Sequence, residues 1–348
     1  MSFRTNGGAF HASADIPADA TVVTCPFSLA ITPQVAKKSL VKLLNGEKAL
    51  EGWSKRQLLC VYLCFHGIIQ LIQYDLTHKP YLDTLPSQDS LTTALHFTKG
   101  KLDQFRGSNL YGATDAVAEM NKEWGKAVTC DAYLTTSTYL SSRTFPCTVI
   151  SSTPTLQSTP DFHPISRESI SIVPHRTARS GEELVNNYGV KPNSELILGY
   201  GFSLPFNLED TIRKWEVGRG ARGAEEVWGV VLEKVKGASQ GQNGRQDKEN
   251  KEIKPPGDEK EDAMPAYKDK REAAQMLADM VETLLDRLPA DKAGAKRAAA
   301  MRPEIAQMLH DYIAGQRDIL ESLLKFAMQK ETGVVEEARE AGVELVFE

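Results

Sequence analysis

The chain has 348 residues, of which 41% are hydrophobic and 25% charged, ordinary proportions for a water-soluble globular protein and a length that suggests two domains more readily than one. Its net charge of −5 argues against a general nucleic-acid binder, which would present a basic face. The most apolar run, Leu58 to Ile72, is interrupted by His66, Gly67 and Gln70 and is too short to cross a bilayer.

In chain order, residues 1–35 read as short strands broken by turns at Gly7-Gly8, Ile16-Pro17 and Cys25-Pro26. The opening segment, MSFRTNGGAF, has no hydrophobic targeting core. That predicts a reducing compartment, cytoplasmic or nuclear, and free thiols for the five cysteines. From Leu40 to Ile72 leucines recur at three-to-four spacing, and Trp53-Ser54 offers a point for a helix to begin. Cys60 and Cys64 stand one helical turn apart in RQLLCVYLCF; a metal site would need a second pair at matching spacing, so two buried core thiols are expected. HKPYLDTLP reads as a loop, Leu102 to Trp124 as helical, and Ala132 to Val149 as strand. Residues 237–264 have almost no large apolar side chain, many charges and a proline pair, and read as a disordered linker. Two amphipathic helices follow. The first carries Met276, Leu277, Met280, Val281, Leu284, Leu285 and Leu288 and is stopped by Pro289; the second carries Ile305, Met308, Leu309, Tyr312, Ile313, Ile319, Leu320, Leu323 and Leu324. An antiparallel pair packed on the rest would bury both stripes.

The most informative stretch runs from Gly181 to Asp210, GEELVNNYGVKPNSELILGYGFSLPFNLED. It sets two tyrosines, Tyr188 and Tyr200, each immediately before a glycine, where the backbone can turn sharply and leave the phenol free to point into a pocket. Asn193 and Ser194, good cap residues, open the apolar-periodic run between them. The spacing predicts two phenols at opposite ends of one short helix, serving a site or packing beside turns.

NNYG, a polar turn, then ELILGYGF and LPFNLEDT resemble the C-terminal signature of SET-domain protein lysine methyltransferases, specifically the Rubisco large-subunit methyltransferase class as found in fungi. PYLDTLP and LTTALHFTKGKLDQFRGSNLYGAT resemble that class's helical insert, and MRPEIAQMLHDYIAGQRDILES its C-terminal helical domain. The resemblance implies an α+β architecture: a β-rich SET fold over residues 1–236, with an N-terminal piece (1–35), a helical insert (36–130) and a catalytic piece (131–215), then the linker 237–264 and an all-helical substrate-binding domain over 265–348. It implies a protein-lysine N-methyltransferase that uses S-adenosyl-L-methionine on a non-histone protein, such as a ribosomal protein or translation factor, with no direct nucleic-acid or membrane partner. Some SET enzymes hold zinc in a cysteine cluster after the catalytic core; no cysteine follows Cys147, so no structural metal is expected.

The same resemblance assigns roles. Tyr188 becomes the catalytic residue, its uncharged hydroxyl able both to donate and to accept beside the methyl group and the amine. Asn6, Gly7, Gly8 and Ala9 match the first SET motif, a glycine turn that brings backbone close to the cofactor. Arg143, in YLSSRTFP, matches the serine-arginine-aromatic motif, whose guanidinium can pair with the cofactor's carboxylate. Tyr200 and Phe202 would line the lysine channel. One departure stands out. The class follows its arginine motif with an Asp-x-x-Asn-His segment that contributes to the cofactor pocket, whereas this chain reads CTVISSTPTLQSTPDFHPIS, with His163 near the expected place but Phe162 in the asparagine position and Thr159 in the aspartate position. The lost amide hydrogen bond is worth on the order of 1 kcal/mol if buried. Two readings follow: a lysine methyltransferase that retains His163 in its cofactor site, or a catalytically weak SET-fold protein that binds a partner through its helices.

Overall fold

The computed structural model describes residues 2–4, 7–68, 78–106, 108, 110, 130–144, 162–166, 169–185, 189–212, 215–246, 259–289, 301–343 and 345. They fall into two compact units, one of residues 1–96 and 114–190, the other of residues 97–113 and 191–348.

The first unit combines two small sheets with a helical layer. In one sheet β2 (Gly7–His11) lies between β1 (Ser2–Arg4) and β6 (Glu183–Leu184), antiparallel to both. In the other, β5 (Ser169–Ile172) lies between β3 (Val23–Pro26) and β4 (Phe162–Ser166), again antiparallel. Both sheets therefore join the first thirty residues to a segment more than 130 positions later, so the expected strand-rich start pairs with the region that follows the helical insert.

Helix α1 (Pro33–Leu43) starts with proline at its first turn and Thr32 as N-cap, whose hydroxyl accepts from the Val35 N–H at 3.2 Å. The stretch expected to be helical from Leu40 to Ile72, with an entry turn at Trp53-Ser54, is divided at that turn. Asn45 adopts a left-handed φ of 54°, a 3-10 turn covers Lys48–Leu50, and α2 runs over Lys55–Ile68. Ser54 opens α2 as anticipated, in a reciprocal cap: its hydroxyl accepts from the Gln57 N–H at 3.2 Å, and its own N–H donates to Gln57 Oε1 at 2.8 Å. The stretch expected as a loop at HKPYLDTLP contains a single helical turn, α3 (Lys79–Leu82). Ala36, Leu40, Leu50, Leu58, Val61 and Leu63 form the core of this layer, together with Cys60. Cys60 and Cys64 are both buried, as their spacing predicted, and burial pushes the Cys60 thiol up to about 12.

The strand expected over Ala132 to Val149 is instead a helix as far as the described residues reach: α5 spans Cys130–Arg143 and packs on α2. Threonines and serines suggested a strand, but here their hydroxyls bond back to carbonyls one turn earlier. Thr136 donates to Ala132 O at 3.1 Å, Thr138 to Leu134 O at 3.0 Å, and Ser141 to Ser137 O at 3.0 Å. Partners on α2 complete the pairing: Arg56 donates to Ser137 and, at 3.3 Å, to Ser141, and Cys64 Sγ lies 3.4 Å from the Thr136 hydroxyl. Tertiary pairing of the hydroxyl face overrides the local strand preference.

The second unit is mostly helical. It opens with α4 (Lys99–Leu102) and a 3-10 turn at Asp103–Phe105, where the helix expected from Leu102 to Trp124 would begin; residues 111–124 of that stretch lie outside the described residues. After it come α6 (Asn193–Gly199), a two-stranded ribbon of β7 (Thr211–Ile212) and β8 (Val217–Gly218), and three long helices: α7 (Ala224–Gln246), α8 (Glu259–Arg287) and α9 (Pro303–Glu340). Helix α7 continues to Gln246 and α8 begins at Glu259, so both flanks of the stretch read as a disordered linker are helical; sparse large apolar residues did not prevent helix extension from packed neighbours. The two C-terminal amphipathic helices pair antiparallel, as expected. Lys270 meets Glu337 at 3.0 Å and Gln275 meets Glu331 at 2.9 Å, while Ala273, Leu277, Val281, Ile305, Tyr312, Ile319 and Leu323 are buried. Phe105 stacks on Phe97 and tilts against Tyr312 of α9, with ring centroids 5.8 and 6.2 Å apart.

Candidate functional site

In the first unit, the glycine-turn strand and the strand leading to Tyr188 are neighbours in one sheet. Gly7, Gly8 and Ala9 lie in β2, opposite Arg4, Phe3 and Ser2 of β1, and two residues on, Phe10 and His11 face Leu184 and Glu183 of β6. The chain leaves β6 four residues before Tyr188. Asn6 and Tyr188 lie outside the described residues. Gly189, directly after Tyr188, has φ 80°, a conformation that a residue with a side chain rarely adopts.

Arg143 ends α5. Its side chain is exposed, its Nη1 donates to the Ser142 hydroxyl at 2.7 Å, and its guanidinium sits 5.8 Å from the centre of the Tyr139 ring. Among the described residues no carboxylate pairs with it. His163 lies in β4 opposite Ser171, and Phe162, which stands in the asparagine position, lies opposite Ile172. The register of β4 shifts between His163 and Ser166, around Pro164, which has no N–H to give to the ladder.

In the second unit, α6 carries Tyr200 at its C-terminal end, where the Tyr200 N–H and the Gly201 N–H both donate to Leu196 O at 2.9 Å. Gly201 has φ 77°, the same left-handed turn as Gly189. Phe202 follows, half-buried like Tyr200, with the two ring centroids 6.3 Å apart. Asn193 does not cap this helix; Pro192 holds that position without a side-chain bond. Asn193 is fully buried and serves as a clasp. Its N–H donates to Asp210 Oδ1 at 2.7 Å, its amide nitrogen donates to Asp210 Oδ2 and to Leu204 O at 2.9 Å each, and its Oδ1 accepts from the Leu204 N–H at 2.8 Å. A cap residue and a buried clasp look alike in sequence, since both use a short amide side chain beside a turn.

Asp210 is the centre of that clasp. It is fully buried, and burial raises its carboxyl, a shift opposed by the Asn193 N–H and by the Arg219 guanidinium 3.8 Å away. Arg219 also donates from Nε to Asn207 O at 3.0 Å and pairs with Asp318 of α9. Gly315 of α9 passes so close that a Cβ there would stand 2.8 Å from Asp210 Oδ2 and 2.9 Å from Arg219 Nη2. Asp210, Arg219 and Asp311 were not singled out from the sequence. The available signal was Asp311 and Gln316 interrupting an otherwise apolar stripe.

Among the described residues no group of three or more His, Cys, Asp or Glu side chains could hold a metal ion, and no helix is long and apolar enough to cross a membrane.

No family model matches the chain. A curated relative, the ribosomal lysine N-methyltransferase set10 of Schizosaccharomyces pombe, is 30% identical over 228 residues, which are 57% of this chain and 40% of that protein. The match thus spans less than half of the relative's length. Among solved structures, Rubisco LSMT bound to AdoMet aligns over 98% of this chain and 90% of its own at a TM-score of 0.62 and 15% identity. Rubisco LSMT bound to sinefungin and monomethyllysine aligns over 97% and 90% at a TM-score of 0.63 and 15% identity. The SET domain of LSMT bound to lysine and AdoHcy aligns over 97% and 89% at a TM-score of 0.62 and 14% identity. The fold is that of the SET-domain proteins of the Rubisco large-subunit methyltransferase class, an α+β fold with a helical C-terminal region, as the sequence resemblance implied.

Proposed function

We propose that this chain is a protein-lysine N-methyltransferase that uses S-adenosyl-L-methionine and acts on a non-histone protein, with a ribosomal protein as the first candidate. The observation that carries the reading is a pair of left-handed glycines, Gly189 and Gly201, each directly after the tyrosine that the class's signature marks, on the class's fold. The relative's name supplies the ribosomal substrate, and the chain's acidic balance suits a basic protein partner rather than nucleic acid. A C-terminal helical substrate-binding domain and a cytoplasmic or nuclear location belong to the same proposal.

The donor set fits the cofactor. An exposed guanidinium at Arg143, paired with no carboxylate among the described residues, suits an amino-acid carboxylate, and the glycine pair Gly7-Gly8 in β2 suits a close backbone approach. The bound cofactor supplies an electrophilic methyl group on a sulfonium. In this proposal Gly7, Gly8, Ala9, Asn6, Arg143 and His163 hold it. The Tyr188 hydroxyl orients the lysine amine and stabilises charge at the reacting carbon, where transfer needs alignment and no covalent enzyme intermediate. Tyr200 and Phe202 wall the channel, and their apolar rings favour the uncharged amine by disfavouring the ammonium.

Phe162 sustains the second reading, a SET-fold binding protein with weak or no catalysis, because a phenylalanine in the asparagine position cannot make the hydrogen bond of an amide side chain. Calorimetric titration with S-adenosyl-L-methionine separates the two. Saturable binding supports the enzyme; a folded protein that evolves no heat of binding leaves only the binding module.

A further inference from the structure

Helix α9 reaches the turn that carries Tyr200 and Phe202 through Asp311. The Ser203 hydroxyl donates to Asp311 Oδ2 at 2.7 Å, and the Gln307 amide donates to Asp311 Oδ1 at 2.7 Å, so both carboxylate oxygens are engaged. On either side of Ser203 the turn is pinned. Tyr200 and Gly201 are held to Leu196 O, and Leu204 is held to Asn193 in both directions.

Packing alone does not account for Asp311. It is buried in a helix face otherwise built from Ile305, Met308, Leu309, Tyr312 and Ile313, where an apolar side chain would serve. Its charge also lies close enough to Asp210 to raise that carboxyl, and among the described residues no cation pairs with it. A buried carboxylate near a second one is costly, and its use here is directional, since it holds one hydroxyl of the turn.

We propose that Asp311 is a positioning residue: acting through Ser203, it sets the placement of the Tyr200 and Phe202 rings and so ties the shape of the lysine channel to the C-terminal helix. What the rings do rests on the methyltransferase reading; where they are held does not.

The test uses the full chain with 3-fluorotyrosine at position 200, in wild type, Ser203→Ala, Asp311→Ala, the double variant and the rescue variant Ser203→Thr. Three quantities are read: the 19F spectrum, the rate of radiolabelled methyl transfer to total ribosomal protein, and the calorimetric Kd for S-adenosyl-L-methionine. Asp311 as a positioning residue predicts that each single change broadens or shifts the 19F signal and lowers kcat about tenfold, with the cofactor Kd unchanged. The double variant should be no worse than either single one, and Ser203→Thr should restore both signals. A purely structural Asp311 would lower the melting temperature and leave the 19F signal and kcat of the folded protein at wild-type values, which overturns the proposal. If wild type transfers no methyl group, the methyltransferase reading fails by itself, and the 19F response still decides whether Asp311 sets the ring.

Discussion

His66 and His78 face one another in the first unit with ring centroids 6.5 Å apart, and the Tyr62 hydroxyl lies 2.7 Å from His78 Nδ1. Neither imidazole stood out in the sequence, because no nucleophile or metal spacing surrounds them. Their chemistry comes from burial. Desolvation, then the neighbouring His78 and Lys79, lower His66 to about 4, and desolvation also lowers His78. Both are therefore shifted toward the neutral form in the folded chain, while in the unfolded chain they take up protons near the ordinary histidine value. For a depressed base the sign follows directly: the folded state is favoured fully above about 6.5, and that advantage is lost as pH falls from there toward 4. Asp210, whose carboxyl is raised, works in the opposite direction just above the ordinary carboxylate range, so a variant comparison is needed to isolate the pair. Urea unfolding at pH 7.5 and pH 5 should show wild type losing stability at the lower pH and His66→Leu losing clearly less. Equal losses in both proteins would contradict neutral burial of His66.

Among the elements, helix α2 was the most legible. Its leucine spacing, its buried cysteines and its opening at Ser54 all agree with one another, because a capping residue and an apolar period are local properties. Ser54→Ala should cost about 1 kcal/mol in denaturant unfolding, by orphaning the Gln57 N–H, while the m-value stays constant. An unchanged midpoint would mean that the cap contributes nothing. Helix α5 was illegible for the converse reason. Its threonines and serines match a strand when read alone, and the Arg56 and Cys64 partners that satisfy them lie about 80 residues away in sequence. The clasp of Asn193 around Asp210 failed in the same way. A cap and a buried clasp differ only in what the chain brings back to them, and here that is a turn and a helix up to 125 residues downstream.

At the scale of the whole molecule, the architecture was legible because it is encoded in long ordered motifs and in two long apolar stripes, which tolerate local errors in element assignment. The sheets are the clearest example. Gly7-Gly8, expected as a turn, lies inside β2, and nothing in it announces that β2 pairs with the strand that precedes Tyr188. Residue roles were less legible than the fold. A side chain's role depends on the atoms around a bound ligand, and the segment around Phe162 departs from the class where the cofactor contacts would fall. The central claim is that the phenol of Tyr188 assists methyl transfer to a lysine. Its most direct test is transfer of radiolabelled methyl from S-adenosyl-L-methionine into proteins of a fungal cell extract by wild type and Tyr188→Phe side by side. The account predicts label in a discrete protein with wild type and a loss of about a hundredfold or more with Tyr188→Phe at unchanged cofactor affinity. Equal labelling by both proteins, or none by a wild-type protein that binds the cofactor, would contradict it.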